Sequence, residues 1–225
     1  MNTTIQKMNN ELKIDSNALE ILAYMGKLPD KVFSVDRLFK ELAEIGWNSN
    51  YATIFRKVDL LVKQGFLIKK KYGMANQLRI NLKNQKTILL LSFYESEKRE
   101  SFLGSVKGSI RSTVSQLAER LENVTTIKFV LIFGSYAKGK ANKNSDLDIL
   151  IMTSTPRQDI LRKISAVELR GSLKINPIIV TAEEHCEMLT NTENNVGKEA
   201  LANHIILFGE YEYWRDISKC CRKEK

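Results

Sequence analysis

The chain has 225 residues, 43% hydrophobic and 27% charged, with only 11 Gly and 3 Pro. That balance excludes a disordered, collagenous or low-complexity protein and suits one large domain or two small ones. The apolar runs, such as Ile88–Leu91 and Ile205–Phe208, fall far short of the ~20 residues that span a bilayer. No membrane association is expected. The opening MNTTIQKMNNELKID lacks the apolar core of a secretory signal. Cys186, Cys220 and Cys221 have no metal-ligand spacing, and an odd count suits no disulfide framework. The expected location is the cytoplasm.

The net charge of +9 is unevenly spread. Residues 1–84 carry 14 Lys/Arg against 8 Asp/Glu, and the remaining 141 residues carry 21 against 18. Between residues 51 and 83 there are eight basic residues and one acid, Asp59. A local basic excess of this kind is what a phosphate-binding surface needs.

In chain order, Leu19, Ile21, Leu22, Tyr24 and Met25 predict a first helix after a Ser16 or Asn17 cap, ended by Gly26. Ser34 caps a second helix with Val35, Leu38, Phe39, Leu42, Ala43 and Ile45 as its apolar stripe. Asn48 or Ser49 caps a third, which runs to about Gln64 and closes at Gly65. The runs 66–72 and 77–82 flank a tight stretch Gly73-Met74-Ala75-Asn76 and read as a strand hairpin. A helical, charge-mixed connector follows, then a helix from about Val106 to Glu122. Strands are expected at Ile127–Phe133, Leu147–Met152 and Leu173–Val180. Helices are expected at Pro156–Arg170 and from Lys198 to Ser218.

At 100° per residue, Tyr51, Ile54, Phe55, Val58, Leu61 and Val62 share one face of the third helix. The opposite face carries Ser49, Asn50, Thr53, Arg56, Lys57, Leu60, Lys63 and Gln64. Arg, Asn and Gln make bidentate contacts to base edges, and Lys neutralises phosphate. The hairpin adds Lys69, Lys70 and Lys71. Ser49, Asn50, Thr53, Arg56, Lys57 and Lys69–Lys71 are therefore the candidate contacts to double-stranded DNA. Residues 16–83, and Ser49–Leu67 above all, resemble the winged helix-turn-helix regulators of bacteria and archaea.

The strongest signal is a Gly134-Ser135 pair, ten residues, then Asp146-Leu147-Asp148 at the start of an apolar strand. Gly134 lets the backbone turn and approach a ligand closely. Ser135 offers a hydroxyl at the start of a short helix, whose free N–H groups favour phosphate. Asp146 and Asp148, two apart on a strand, project from one face, where two carboxylates can hold Mg²⁺ bridged to nucleotide phosphates. Lys138, Lys140 and Lys143 surround the loop with positive charge.

These residues closely resemble the DNA polymerase β-type nucleotidyltransferases, in particular the small minimal branch, over residues 107–218. The resemblance implies a mixed sheet with helices packed on one side. It also implies transfer of a nucleotidyl group from a nucleoside triphosphate to an acceptor, with release of pyrophosphate. Gly134 and Ser135 would hold the triphosphate, and Asp146 and Asp148, as metal ligands and catalytic residues, would bind the first of two Mg²⁺ ions. The superfamily's third carboxylate falls at position 176, which is Asn. Asn offers no charge to a second metal and no basicity, although its carbonyl remains available near the nucleotide. Glu168, Glu183 and Glu184 sit on predicted helices and are poor replacements.

The sequence thus predicts an α+β protein: a winged helix-turn-helix over 1–83, a helical connector over 84–106 and a minimal nucleotidyltransferase domain over 107–225. The expected partners are duplex DNA, a nucleoside triphosphate, a protein or small-molecule acceptor and a second copy in a homodimer. The alternative is a transcription regulator whose degenerate transferase domain only senses a nucleotide. His185 and His204, and the aromatic group Phe208, Tyr211, Tyr213 and Trp214, are read as structural.

Overall fold

The computed structural model describes residues 14–73, 75–169 and 173–221. Met74 of the expected turn and Arg170 at the end of the expected helix lie outside them, as do residues 1–13. The chain divides into two units, 1–91 and 92–225.

The first unit begins with α1 (Ser16–Gly26), α2 (Val35–Glu44) and α3 (Tyr51–Lys63). Each starts with a side-chain cap that accepts an otherwise unpaired N–H. Asp15 takes the N–H of Ala18, Ser34 that of Arg37 and Asn50 that of Thr53. The caps of α1 and α3 therefore differ from the expected Ser16/Asn17 and Asn48/Ser49, because the extended residue before each first turn is Asp15 or Asn50. A hairpin of β1 (Leu67–Tyr72) and β2 (Ala75–Ile80) follows, paired from Leu67↔Ile80 to Tyr72↔Ala75. Phe33 adds a backbone bridge to Leu78. Phe33, Leu38, Ile54, Leu61, Phe66 and Leu78 are buried together in this unit. Ile54, Val58 and Leu61 are the buried stripe of α3, but Tyr51 and Phe55, expected on that face, are 41% and 50% exposed. They lie at its margin, where Tyr51 packs edge-on against Phe39 and stacks with Phe55.

Helix α4 (Gln85–Ser105) contains the division between the units, and α5 (Gly108–Glu122) follows it. The second unit is built on β3 (Ile127–Ile132), β4 (Leu147–Thr153), β5 (Ile175–Val180) and β6 (Ile205–Phe208), in the order β5-β4-β3-β6. β4 runs parallel to β5, whereas β3 is antiparallel to both β4 and β6. The four-residue α6 (Gly134–Ala137) joins β3 towards β4, and α7 (Arg157–Glu168) crosses from β4 to β5. Helices α8 (Ala182–Thr190), α9 (Val196–Ala202) and α10 (Glu210–Cys220) complete the chain.

Val130, Ile132, Ile149 and Ile151 pack with Val114 and Leu117 of α5 and Ile160 and Ile164 of α7. On the other face, Phe129 meets the rings of His185 in α8 and Tyr213 in α10. Helices thus cover both faces of the sheet, not one as the resemblance implied. The expected helix 198–218 is instead α9, strand β6 and α10. Four apolar residues in a row, Ile205–Phe208, carry no period that separates strand from helix, and pairing with β3 decides it. Gly209 then turns the chain at φ +82° against the backbone of Lys128 and Phe129, where a Cβ would collide. Among the described residues no helix is long and apolar enough to cross a membrane.

Candidate functional site

The central strand β3 is buried at every position but Lys128 and delivers the chain to one end of the sheet. There Phe133 donates its N–H to the carbonyl of Asp148 at 3.0 Å. Gly134 follows at φ +67°, and a Cβ built on it would lie 2.3 Å from Asp148 Oδ2. No other residue type leaves room for that carboxylate. The half-buried Ser135 comes next, within α6. A single turn has little dipole, but its first N–H groups have no partner within the helix.

Asp148 lies in β4, and Asp146 stands one residue before its first position. Both are partly exposed, while Leu147 between them is fully buried. Parallel β5 places Asn176 opposite Asp148, and the Asn176 amide donates to Asp148 Oδ1 at 3.0 Å. Lys174, two residues earlier, donates its ammonium to Asp146 Oδ2 at 3.0 Å. Reading the sequence for motifs missed Lys174. The signal is that Lys174-Ile175-Asn176 repeats the polar–apolar–polar order of Asp146-Leu147-Asp148, so two parallel strands in register bring four polar side chains together.

The loop lysines are not equivalent. Lys138 forms an ion pair with Glu199 of α9 at 2.6 Å, whereas Lys140 and Lys143 are exposed. Asn142 and Ser145 brace the loop through the bonds Asn142 N–H to Ser145 Oγ and Asn144 N–H to Asn142 Oδ1. Of the other acids considered, Glu183 is exposed on α8 and two are engaged elsewhere. Glu168 accepts the N–H of Ile175 at 2.8 Å, and Glu184 closes a capping box with Thr181 and pairs with Arg157. Among the described residues no three His, Cys, Asp or Glu side chains form a metal-holding cluster.

The segment that carries this Gly-Ser turn and the paired aspartates falls within a family match. The family described as "Polymerase beta, Nucleotidyltransferase" matches residues 115–211. The chain is also 33% identical over 70 residues to the "Putative protein adenylyltransferase MJ0141" of Methanocaldococcus jannaschii, an alignment covering 29% of this chain and 71% of that relative. The chain belongs to the polymerase β-type nucleotidyltransferase family. The family match runs from within α5 to the start of α10 and takes in every residue of the Gly-Ser and aspartate site.

The nucleotidyltransferase domain keeps its histidines buried and out of this site. His185 Nδ1 meets Asp216 Oδ2 at 2.6 Å, and His204 meets Glu95 at 3.3 Å. In the first unit, the candidate DNA contacts are spread over α3 and β1. Arg56 is exposed and donates to the Ala52 carbonyl of its own helix, and Thr53 lies half-buried beside it. Asn50 is committed to its cap and Lys57 to an ion pair with Asp15. Ser49 is half-buried just before α3. Lys69, Lys70 and Lys71 are all exposed, with Lys70 on the opposite face of β1 from its two neighbours.

Proposed function

We infer that the second unit binds a nucleoside triphosphate with Mg²⁺ and transfers its nucleotidyl group to an acceptor hydroxyl. The observation that carries this reading is the closure of Gly134 on Asp148, which seats the backbone turn before Ser135 directly against a carboxylate that can hold a metal. The donor set fits Mg²⁺: two carboxylates with no Cys or His, few enough to leave positions for phosphate oxygens and water. A metal held there would supply charge neutralisation to the phosphates. Asp146 and Asp148 would hold it, Gly134 and Ser135 would take the triphosphate through backbone N–H groups and a hydroxyl, and Lys140 and Lys143 would add charge from the loop. The acceptor oxygen forms the new bond at the α-phosphorus, pyrophosphate leaves with the electron pair of the broken bond, and the acceptor proton passes to solvent. The relative's name makes ATP the first nucleotide to test and a protein the first acceptor class.

Three capped helices followed by a hairpin support a winged helix-turn-helix for the first unit, with α3 and the lysines of β1 turned to duplex DNA. A specific observation favours a second reading of the site: Asn176 occupies Asp148 Oδ1 with a neutral amide, which suits a nucleotide sensor. Incubation of the full chain with each α-labelled ribonucleoside triphosphate, Mg²⁺ and cell lysate separates the two. Label transferred to an acceptor, and lost in the Asp146→Asn/Asp148→Asn variant, supports the enzyme. Metal-dependent nucleotide binding without transfer in any lysate supports the sensor.

A further inference from the structure

The paired aspartates are met by a cation of the protein's own. Lys174 and Asn176, two apart at the start of β5, are bonded to Asp146 and Asp148 respectively. The side chain of Lys174 is 75% exposed and that of Asp146 is 41% exposed. An ion pair this open contributes little, so exchanging its partner has a low cost. Glu168, Glu184 and Glu199 are bonded elsewhere, and among the described residues no third carboxylate joins the pair in a metal-holding cluster. Yet a triphosphate brings more negative charge than one divalent ion neutralises.

Building on the nucleotidyltransferase reading, we propose that Lys174 is a nucleotide-positioning residue that changes partner. It holds Asp146 in the free protein, yields that carboxylate to a single divalent ion, and then donates to the triphosphate where a second ion would otherwise supply charge. An ammonium with three rotatable donors can serve carboxylate and phosphate in turn.

The test compares the full-length protein with Lys174→Met and Lys174→Arg, and uses Lys163→Met, an exposed charge on α7, as control. Mn²⁺ is titrated without nucleotide by electron paramagnetic resonance. Each of the four ribonucleoside triphosphates is titrated with Mg²⁺ by calorimetry. Lys174→Met should bind Mn²⁺ alone about two- to fivefold more tightly, because its competitor is gone. The same variant should bind the Mg²⁺–nucleotide about five- to twentyfold more weakly, because a charge-assisted bond is lost. Lys174→Arg should retain nucleotide affinity, and Lys163→Met should move neither value. Affinities that fall together, that do not move, or that Lys163→Met reproduces overturn the proposal. Metal-dependent nucleotide binding unaffected by Lys174→Met overturns it alone. No metal-dependent binding by the unmodified protein overturns the nucleotidyltransferase reading with it.

Discussion

Asn176 donates its side-chain amide to Asp148 Oδ1 at 3.0 Å across the parallel pair of β4 and β5. Asn176→Asp replaces that donor with a carboxylate of nearly the same shape. Without metal, two like charges then face each other and the site loses stability. With metal, a second divalent ion should bind more tightly. Any nucleotidyl transfer should rise by about 10- to 1000-fold if a metal-activated acceptor is what the site lacks. Steady-state transfer at varied Mg²⁺ measures this. Fast wild-type transfer that the substitution leaves unchanged or lowers would show that the neutral residue is no defect.

Gly134→Ala should damage fold and site together. The new methyl would lie 2.3 Å from Asp148 Oδ2, at a φ of +67° that L side chains rarely adopt. Destabilisation of about 1–3 kcal/mol is expected, together with loss of the metal-dependent part of nucleotide binding. Denaturant unfolding and calorimetry check the two effects. Gly139→Ala, also at positive φ but with open space around its Cβ position, should destabilise less and leave the metal response in place.

Two carboxylates make the protein acid-sensitive. Burial pushes Glu95 up, but His204 and Lys98 outweigh it and hold the group down at about 2. Burial likewise opposes Glu41, which hydrogen bonds from Lys31, Arg37 and Tyr24 also bring to about 2. Both folded values lie below the ordinary 4.5, so protons bind the unfolded chain more readily. The stability these groups contribute is present above about pH 4.5 and is lost as pH falls towards 2. Denaturant melts between pH 2 and 6 should show this decline. Glu41→Gln should flatten it for the first unit, and an unchanged slope would contradict the assignment.

On DNA, alanine at Lys69, Lys70 and Lys71 should weaken binding to all sequences and flatten the salt slope by about 2–3 units, at roughly 0.9 per phosphate contact. Arg56→Ala should instead lose sequence preference, by about 1–3 kcal/mol at one base pair. Because Asp15 holds Lys57, Asp15→Asn should strengthen binding modestly. Footprinting and salt titration distinguish these effects, and no duplex binding at low salt would end the DNA-binding reading.

Much of this architecture is legible in the residues because the signals are local. Ser34, Gly46 and Gly65 punctuate the helices of the first unit, and the alternation in 77–82 marks a strand. The Gly-Ser turn and the paired aspartates are legible for the same reason: each is a short run with one geometric use. What the sequence hides depends on partners far away in the chain. Strand β6 exists because β3 offers an edge some 75 residues earlier, and the second helical layer depends on Phe129 meeting residues of α8 and α10. Lys174 reads as one more lysine until the register of β4 and β5 brings it to Asp146.

The central claim is that Gly134, Ser135, Asp146 and Asp148 form a metal-dependent nucleotide site, and calorimetry tests it most directly. Each of the four ribonucleoside triphosphates is titrated into the protein and into Asp146→Asn/Asp148→Asn, with and without Mg²⁺. At least one nucleotide should bind the unmodified protein more tightly when Mg²⁺ is present, and the double variant should lose that difference. A double variant that binds the Mg²⁺–nucleotide as well as the unmodified protein would place the site elsewhere and contradict the account.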